Sequence, residues 1–243
     1  MATLRKVMRK VLSRNTLYYP GCVIKHAAPE LDENYKQILK KLKVDFISID
    51  EFVCCGSPVL AAGYKEDFEN LRKKNVELLD RYGVSRIITP CPGCARMFIQ
   101  DYKLEDEGIE VVHMTQLLGK KLEKINDLFK KGNATKVTYH DPCHLGRHLG
   151  VYDDPRKVII AAGYGLEEFE KCREKAVCCG AGGGMKANFP EIANKIAKDK
   201  FTGLKTKVVT TSCALCYFHL KENAPKDVEV KEISELIKDA IIG

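Results

Sequence analysis

Residues 86–94, RIITPCPGC, recur in altered form at residues 207–216, KVVTTSCALC. In both stretches a short run of β-branched residues leads into a Cys-x-x-Cys pair. Runs of this kind are typical of strands, so each cysteine pair is predicted to lie just beyond the carboxyl end of a strand. The recurrence of such a stretch indicates an internal duplication of the chain.

The other cysteines extend the duplication. Ten of the eleven cysteines form two sets of five with similar spacing: Cys22, Cys54, Cys55, Cys91 and Cys94, and then Cys143, Cys178, Cys179, Cys213 and Cys216. Gaps of 31 and 35 residues in the first set correspond to gaps of 34 and 33 residues in the second. Both sets therefore derive from one ancestral unit. Cys172 has no counterpart, and we predict a position in the core for it.

The segments between the cysteines predict an α/β fold. Strands are predicted at four β-branched or aromatic runs that precede cysteines: residues 17–19, 87–89, 137–139 and 208–210. Two helices are predicted from apolar stripes: Leu31, Tyr35, Ile38, Leu39 and Leu42, and Phe68, Leu71, Leu78, Leu79 and Tyr82. We therefore expect two pseudo-symmetric repeats, each a small, mostly parallel sheet flanked by helices, with ligands beyond the carboxyl ends of the strands.

Three segments are expected along the chain: an N-terminal amphipathic segment at 1–16, a first repeat at 17–132 and a second at 133–243. The boundary falls within KKGNATK, residues 130–136. In the N-terminal segment, one helical face is apolar and the others are basic. Docking onto a partner subunit, packing against the protein's own core and binding to a membrane surface all remain open for it.

Composition narrows the class of protein. The chain has 243 residues, of which 45% are hydrophobic, and a net charge of +7. Basic and acidic residues are mixed throughout and form no basic stripe with aromatic residues, so we expect no nucleic-acid partner. No stretch resembles a membrane span or a signal peptide, which predicts a cytoplasmic protein. Because the cytoplasm is reducing, eleven cysteines indicate metal binding or redox chemistry rather than disulfides.

Five thiols in each repeat favour an iron–sulfur cluster. Soft thiolate donors that converge from several loops suit iron. A closed zinc site needs only four ligands, which five cysteines repeated in register exceed. Zinc in one repeat and a purely thiol-based redox protein are the alternatives. Four glycines beside the double cysteines are expected to direct N–H groups at the cluster: Gly56, Gly180, Gly182 and Gly183. A phosphate-binding loop is the alternative interpretation of the glycine-rich stretch after Cys179, but this stretch lacks the Lys-Ser/Thr that such a loop requires.

Several histidines lie close to the first cysteine of each set in the sequence: His26, His140, His144 and His148. A proton donor to a leaving thiolate would be useful there, although the first expectation for each single histidine is a structural hydrogen-bonding role near the cluster. His144 and Arg147 are the candidate catalytic residues. Lys186 could pair with an anionic substrate or could simply be solvated.

With these residues the chain resembles the CCG-domain family of cysteine-rich proteins, which includes heterodisulfide reductase subunits of the B and D types. Related subunits occur in complexes that oxidise glycerol 3-phosphate, glycolate or lactate and in thiol:fumarate oxidoreductases. The resemblance rests on YYPGC at 18–22, VCCGSP at 53–58, YHDPCHLGRHLGVYDDPR at 139–156 and VCCGAGGGM at 177–185. It extends over nearly the whole chain.

The resemblance implies that each set of five cysteines binds a non-cubane [4Fe–4S] cluster. It also implies that a small disulfide, such as that of coenzyme M and coenzyme B, is split between the two clusters, one electron coming from each. The expected function is disulfide reduction by an iron–sulfur subunit of an oxidoreductase complex. The alternative is an electron-transfer subunit of a flavin-linked dehydrogenase that passes electrons to a quinone or a membrane partner.

The chain has no ferredoxin-like C-x-x-C-x-x-C-x-x-x-C-P run. Electrons are therefore expected from a separate ferredoxin-type iron–sulfur subunit or a flavoprotein subunit. A membrane-associated partner would hold the protein at the inner face of the membrane.

Overall fold

The computed structural model describes residues 15–126, 129 and 135–242. Nearly all of the predicted N-terminal segment and most of the predicted boundary between the repeats lie outside the described residues. Within the described part, the chain forms two parallel sheets flanked by helices, so the predicted α/β fold with two repeats is confirmed.

The first half contains three strands: Asn15–Tyr18 (β1), Val84–Thr89 (β2) and Glu110–His113 (β3). Its helices are Cys22–Ala27 (α1), Pro29–Lys41 (α2), Ser57–Ala61 (α3), Lys65–Arg81 (α4), Pro92–Arg96 (α5), Met114–Lys120 (α6) and Leu122–Asn126 (α7), with a π-helical turn at Met97–Asp101. The sheet order is β1-β2-β3, and both pairings are parallel. A parallel bridge joins Leu17 to Ile47 on the free side of β1.

The second half contains four strands: Lys136–His140 (β4), Gly165–Glu168 (β5), Val208–Thr211 (β6) and Glu229–Glu232 (β7). Its helices are Asp153–Ala161 (α8), Met185–Asn188 (α9), Pro190–Asp199 (α10), Ala214–Asn223 (α11) and Ile233–Ile242 (α12), with a 3₁₀ turn at Arg173–Lys175. The sheet order is β5-β4-β6-β7, again all parallel. β4, β6 and β7 thus correspond to β1, β2 and β3, and β5 corresponds to the bridge at Ile47.

The two halves share a hydrophobic core. In one cluster of buried side chains, Leu31 and Ile38 of α2 join Val137 of β4 and Leu236 of α12. A second cluster lies within the first half, between its sheet and α4. Burial of apolar surface contributes about 25 cal/mol per Å². The first cluster, which contains side chains of both halves, therefore holds the halves together.

The helix predictions are largely confirmed by burial. All five predicted residues of the α2 stripe are buried, as are Phe68, Leu78 and Leu79 of α4. Leu71 and Tyr82 are half-buried. Cys172 is half-buried at the start of the 3₁₀ turn instead of lying in the core. Among the described residues, no helix combines the length and apolarity needed to cross a membrane.

Candidate metal centres

The loops that follow β1, β2, β4 and β6 bring the cysteines to the carboxyl end of each sheet. β1 and β2 lead to Cys22 and Cys91, while β4 and β6 lead to Cys143 and Cys213. Because β1 pairs with β2 and β4 with β6, both loops of a repeat open on the same end. The double cysteines approach this end from a third loop. The carboxyl end of each sheet therefore gathers donors from three segments.

The first set forms a continuous chain of thiol contacts. Hydrogen-bonding contacts join the side chains in the order Cys22, Cys54, Cys55, Cys94, Cys91. Cys55 and Cys94 are buried, whereas Cys22 is exposed. This group of sulfurs is therefore enclosed on its inner side and open to solvent at Cys22.

The second set repeats the same chain of contacts. The order is Cys143, Cys178, Cys179, Cys216, Cys213. Cys179 and Cys216 are buried, and the other three are half-buried. All eleven cysteines of the chain are free thiols. The structure thus brings together both sets of five cysteines that the sequence singled out.

The first cysteine of each double pair is the most acidic thiol of its set. The pKa of Cys54 lies far below the ordinary thiol value, chiefly because Cys22 and then Cys55 donate hydrogen bonds to its sulfur. The N–H of Gly56 also donates to this Sγ over 3.4 Å. Thiolates, not thiols, are the metal-binding form of cysteine. The local structure therefore favours a sulfur that is ready to bind a metal.

The second double pair has matching surroundings. The pKa of Cys178 is strongly lowered, first by hydrogen bonds from Cys143 and Cys179. The N–H of Gly180 donates to this Sγ over the same 3.4 Å. The two CCG sequences therefore create equivalent local environments.

The glycines near the sulfurs differ in what surrounds them. Gly21 has φ 81° and ψ 156°, and a Cβ atom built on it would lie 3.1 Å from Cβ of Cys91 and 3.3 Å from Sγ of Cys94. This conformation is essentially restricted to glycine. A Cβ atom on Gly182 or Gly183 would meet no described atom within 4 Å, whereas one on Gly56 would lie 2.7 Å from the ring of Phe68 and one on Gly180 2.9 Å from the carbonyl oxygen of Ala193. Gly21, which the sequence did not single out, is the one of these glycines whose close approach is to the cysteines themselves.

Aromatic rings surround the first site. Tyr19, Phe52, Phe98 and Tyr102 form a cluster with neighbouring ring centroids 5.0–6.1 Å apart. Burial raises the pKa of both tyrosine hydroxyls, and the nearby thiols raise it further. The buried side of this site is consequently aromatic and largely apolar.

The second site has a nitrogen-bearing shell. One ring nitrogen of His140 and the sulfurs of Cys179 and Cys216 all lie within 4.8 Å of one another. Burial lowers the pKa of this imidazole well below its usual value, and Lys200 adds to the effect. Lys200 donates to the carbonyl of Val177 over 3.0 Å. Burial lowers the pKa of its ammonium group, against an opposing contribution from the thiols.

An ion network holds the loop that precedes Cys143. Arg156 forms a bidentate pair with Asp141 through two 2.8 Å contacts and a second pair with Glu168, at 2.6 and 2.9 Å. Asp141 also accepts from the backbone N–H of Arg173 over 2.8 Å. Bidentate pairing fixes geometry as well as charge. The network therefore anchors the start of this cysteine loop to α8 and β5.

The two sites meet through His144. A Cβ atom built on Gly93, between the two cysteines of the first Cys-x-x-Cys pair, would lie 3.2 Å from Nδ1 of His144. The rings of His144 and His148 pack edge to face at 5.1 Å. Gln100 donates to the carbonyl of His148 over 2.9 Å. The loop after Cys143 thus contacts the first site directly.

The other candidate residues lie farther out. Arg147 is exposed and donates to the carbonyl of Ala176 over 2.6 Å. Lys186 is paired with Glu222 at the surface. His26 is exposed and lines a cavity of about 110 Å³ beside Cys22 and Cys54. Of these residues, His26 is the one that faces a space next to the sulfurs.

The donor set fits an iron–sulfur cluster better than zinc. Each site offers five thiols linked by successive contacts, one more than a closed tetrahedral zinc site uses. The N–H groups of Gly56 and Gly180 donate to sulfurs, and the imidazole of His140, which has no partner among the described residues, lies within 4.8 Å of two more. Iron–sulfur clusters take thiolate ligands and accept hydrogen bonds at their sulfurs.

The sequence profile of the cysteine-rich CCG domain matches the chain twice, at residues 16–99 and 137–221. The two ranges include all ten repeated cysteines and more than half of the chain. The chain belongs to the CCG family of cysteine-rich domains. In this CCG protein, each matched range begins in the strand before the first cysteine and ends in the helical segment after the Cys-x-x-Cys pair.

Three curated relatives show the range of proteins that contain this arrangement. The CCG protein is 33% identical to the D subunit of dihydromethanophenazine:CoB–CoM heterodisulfide reductase from Methanosarcina acetivorans, over 93% of its own length and 59% of the relative's. It is 34% identical to the B subunit of fumarate reductase (CoM/CoB) from Methanothermobacter marburgensis, over 90% of its own length and 45% of the relative's. It is 30% identical to EtfAB:quinone oxidoreductase of Syntrophomonas wolfei, over 93% of its own length and 34% of the relative's. The chain thus spans between about a third and three fifths of these relatives.

Four residues that shape the sites were not singled out from the sequence: Tyr19, Asp141, Arg156 and Lys200. Asp141 and Arg156 belong to the stretch at 139–156 on which the family resemblance rests. The sequence does not indicate that their side chains form an ion pair. Lys200 lies far from any cysteine in the sequence, and only the packing of α10 brings it to the second site.

Proposed function

We propose that this CCG protein is an iron–sulfur subunit of an oxidoreductase complex that reduces a small disulfide. Each set of five cysteines would bind one non-cubane [4Fe–4S] cluster. The observation that supports this best is the pair of matching five-thiol chains, joined where His144 lies against Gly93. When bound, the clusters would supply two one-electron centres close to each other, which suits the two-electron cleavage of an S–S bond.

The reaction balances with an external electron donor. A disulfide R–S–S–R′ takes up two electrons and two protons and gives R–SH and R′–SH. The electrons would come from a ferredoxin-type iron–sulfur subunit or a flavoprotein subunit, and a membrane-associated partner would place the complex at the inner face of the membrane. Similarity to subunits of such complexes supports this assignment.

The side chains between the sites would handle the substrate. His144 lies next to both cysteine sets and would donate a hydrogen bond to the sulfur that leaves. Arg147 is exposed one turn away, where its charge would attract an anionic thiol or disulfide. The cavity beside Cys22 is lined by Lys25, His26 and Lys36, and it would accept one half of the substrate.

A carrier function is the second candidate. The similarity to an EtfAB:quinone oxidoreductase supports an electron-transfer subunit that passes electrons from a flavoprotein to a quinone, with no substrate of its own. The cysteine sites would be loaded in the same way in both cases. Only the molecule that re-oxidises the clusters would differ.

Anaerobically purified, cluster-loaded protein distinguishes the two functions. The protein is reduced with viologen and mixed with either the disulfide of coenzyme M and coenzyme B or a short-chain quinone. We expect disulfide-dependent oxidation of the viologen in the wild type and in Cys172→Ser, and its loss in Cys55→Ser and Cys179→Ser. Oxidation by the quinone with no response to the disulfide would overturn disulfide reduction in favour of the carrier.

A further inference from the structure

The two sites have the same sulfur donors but different residues at equivalent positions. His140 and Tyr19 each lie three residues before the first cysteine of their set. The hydroxyl of Tyr19 donates to the carbonyl of Val53 over 3.3 Å, so its hydrogen-bonding capacity is used by the backbone. The imidazole of His140 has no such partner among the described residues. The duplicated position therefore has a satisfied side chain in one repeat and an unsatisfied one in the other.

His140 is buried with both ring nitrogens unpartnered among the residues that the structure describes; its exposure is 1%. Burying a polar group without a partner is costly, so native structures rarely leave one in this state. The neighbouring atoms of suitable chemistry are the sulfurs of Cys179 and Cys216, within 4.8 Å. A cluster held by these sulfurs would provide the acceptor that the imidazole N–H lacks.

Lys200 makes the second difference between the sites. Its ammonium group donates to the carbonyl of Val177, the position that corresponds to Val53. At the first site, the carbonyl of Val53 is contacted by Tyr19 and by the neutral amide of Asn75, at 3.5 Å. Lys200 is 8% exposed and interacts electrostatically with the second set of thiols.

The buried positive charges lie on one side of the molecule. Among the described residues, the buried lysine and arginine side chains are Lys200 and Arg156, both in the second half. Arg156 is neutralised by Asp141 and Glu168. The ammonium group of Lys200 contacts the carbonyl of Val177 and lies 4.6 Å from the ring centroid of Phe169. Within the described part of the chain it forms no ion pair with a carboxylate. Its charge therefore acts on the second site.

We infer that the cluster of the second repeat is reduced at a higher potential than the cluster of the first, because His140 and Lys200 stabilise the added electron there. This inference rests on the proposed binding of one cluster to each set of cysteines. Hydrogen bonds and buried positive charge favour the reduced form of an iron–sulfur cluster. The buried side of the first site has aromatic rings instead, and its basic side chains line the cavity at Cys22, where solvent screens their charge. An electron that enters at the first site would consequently move to the second.

Two separate waves are expected in an EPR-monitored redox titration of the loaded protein. His140→Phe removes the N–H and Lys200→Met removes the charge while keeping the chain length, so each should lower the midpoint of the upper wave alone. His140→Gln keeps an N–H donor and should restore most of the wild-type midpoint. Tyr19→Phe is the matched control in the first repeat and should leave the upper wave unchanged.

Iron and acid-labile sulfide are measured on every variant, so a failure to bind two clusters is recognised separately as a failure of the proposed function. If His140→Phe does not load, Lys200→Met decides the outcome. An upper wave that does not move in the loaded variants, or a shift of the lower wave in its place, would overturn the inference.

Discussion

Single glycines determine whether the cysteine loops can close around a cluster. Gly21 precedes Cys22 in a backbone conformation that is essentially restricted to glycine, and its α-carbon faces the Cys-x-x-Cys pair. Gly56 follows the double cysteine, and its N–H donates to Sγ of Cys54 in addition to the hydrogen bonds from Cys22 and Cys55. The geometry of the metal site therefore depends on the positions of these glycines as well as on those of the cysteines.

Gly21→Ala should disable the first site selectively. The added Cβ atom would meet Cys91 and Cys94, and the backbone strain alone would cost about 1–3 kcal/mol. We expect about half of the wild-type iron to remain bound after anaerobic purification. Gly63→Ala is the matched control, because Gly63 has φ +90° but a Cβ atom added to it would meet no described atom within 4 Å. Equal iron loss in both variants would contradict the role of the close contact.

The strands explain which parts of the fold were predictable from sequence. β1, β2, β4 and β6 are rich in β-branched and aromatic residues, and their positions are confirmed. β3, β5 and β7 were not recognised from the sequence, and each lies at a sheet edge, as β1 also does. β5 and β7, with sequences GLEE and EVKE, are short and polar. Edge strands are paired on one side only, so they need little apolar character, and their pattern resembles that of a loop.

The cysteine sets could be recognised from spacing because the duplication repeats their order in the chain. The residues that surround the cysteines could not be recognised in this way. Lys200 comes from the end of α10 and His144 contacts Gly93 of the other repeat, and both contacts depend on how helices and halves pack. Residues that lie far apart in sequence with no shared motif give no periodic signal.

Arg156 should control the stability of the second cysteine loop. Removing one partner of a buried ion pair costs about 3–5 kcal/mol, because the remaining carboxylate, here that of Asp141, stays buried without compensation. Arg156→Gln is expected to lower the thermal midpoint of the loaded protein and to release iron from the second site first. Lys136→Gln is the control, since Lys136 pairs with Glu167 at the surface of the neighbouring strands, where such a pair contributes less than about 1 kcal/mol. Similar midpoints for both variants would refute the anchoring role of Arg156.

Across the whole molecule, the halves are joined by a buried polar contact as well as by the shared core. Tyr35 of α2 donates to Glu232 at the end of β7 over 2.6 Å, and the backbone N–H of Ser234 donates to the same carboxyl group over 2.8 Å. Burial raises the pKa of Glu232 to about 7, against the hydrogen bonds, which lower it. The folded protein therefore retains this proton at a pH where the unfolded chain has released it.

This contact makes stability pH-dependent. Between the unfolded pKa of about 4.3 and the folded value of about 7, the native state binds more protons, so the free energy of unfolding falls as pH rises, by about 4 kcal/mol in total. Glu232→Gln is neutral at every pH. Its thermal midpoint relative to the wild type should therefore rise between pH 5 and pH 8.

Glu229→Gln, on the exposed part of the same strand, provides the comparison. A midpoint difference for Glu232→Gln that is the same at pH 5 and pH 8 would show that Glu232 does not titrate in this range.

The central claim is that one chain holds two five-thiolate cluster sites. The most direct test is the iron, acid-labile sulfide and zinc content of anaerobically purified protein, measured for the wild type, Cys54→Ser and Cys178→Ser. We predict about eight iron atoms per chain in the wild type and about four in each variant, with no zinc. Fewer than about four irons in the wild type, or zinc alone, would contradict the account.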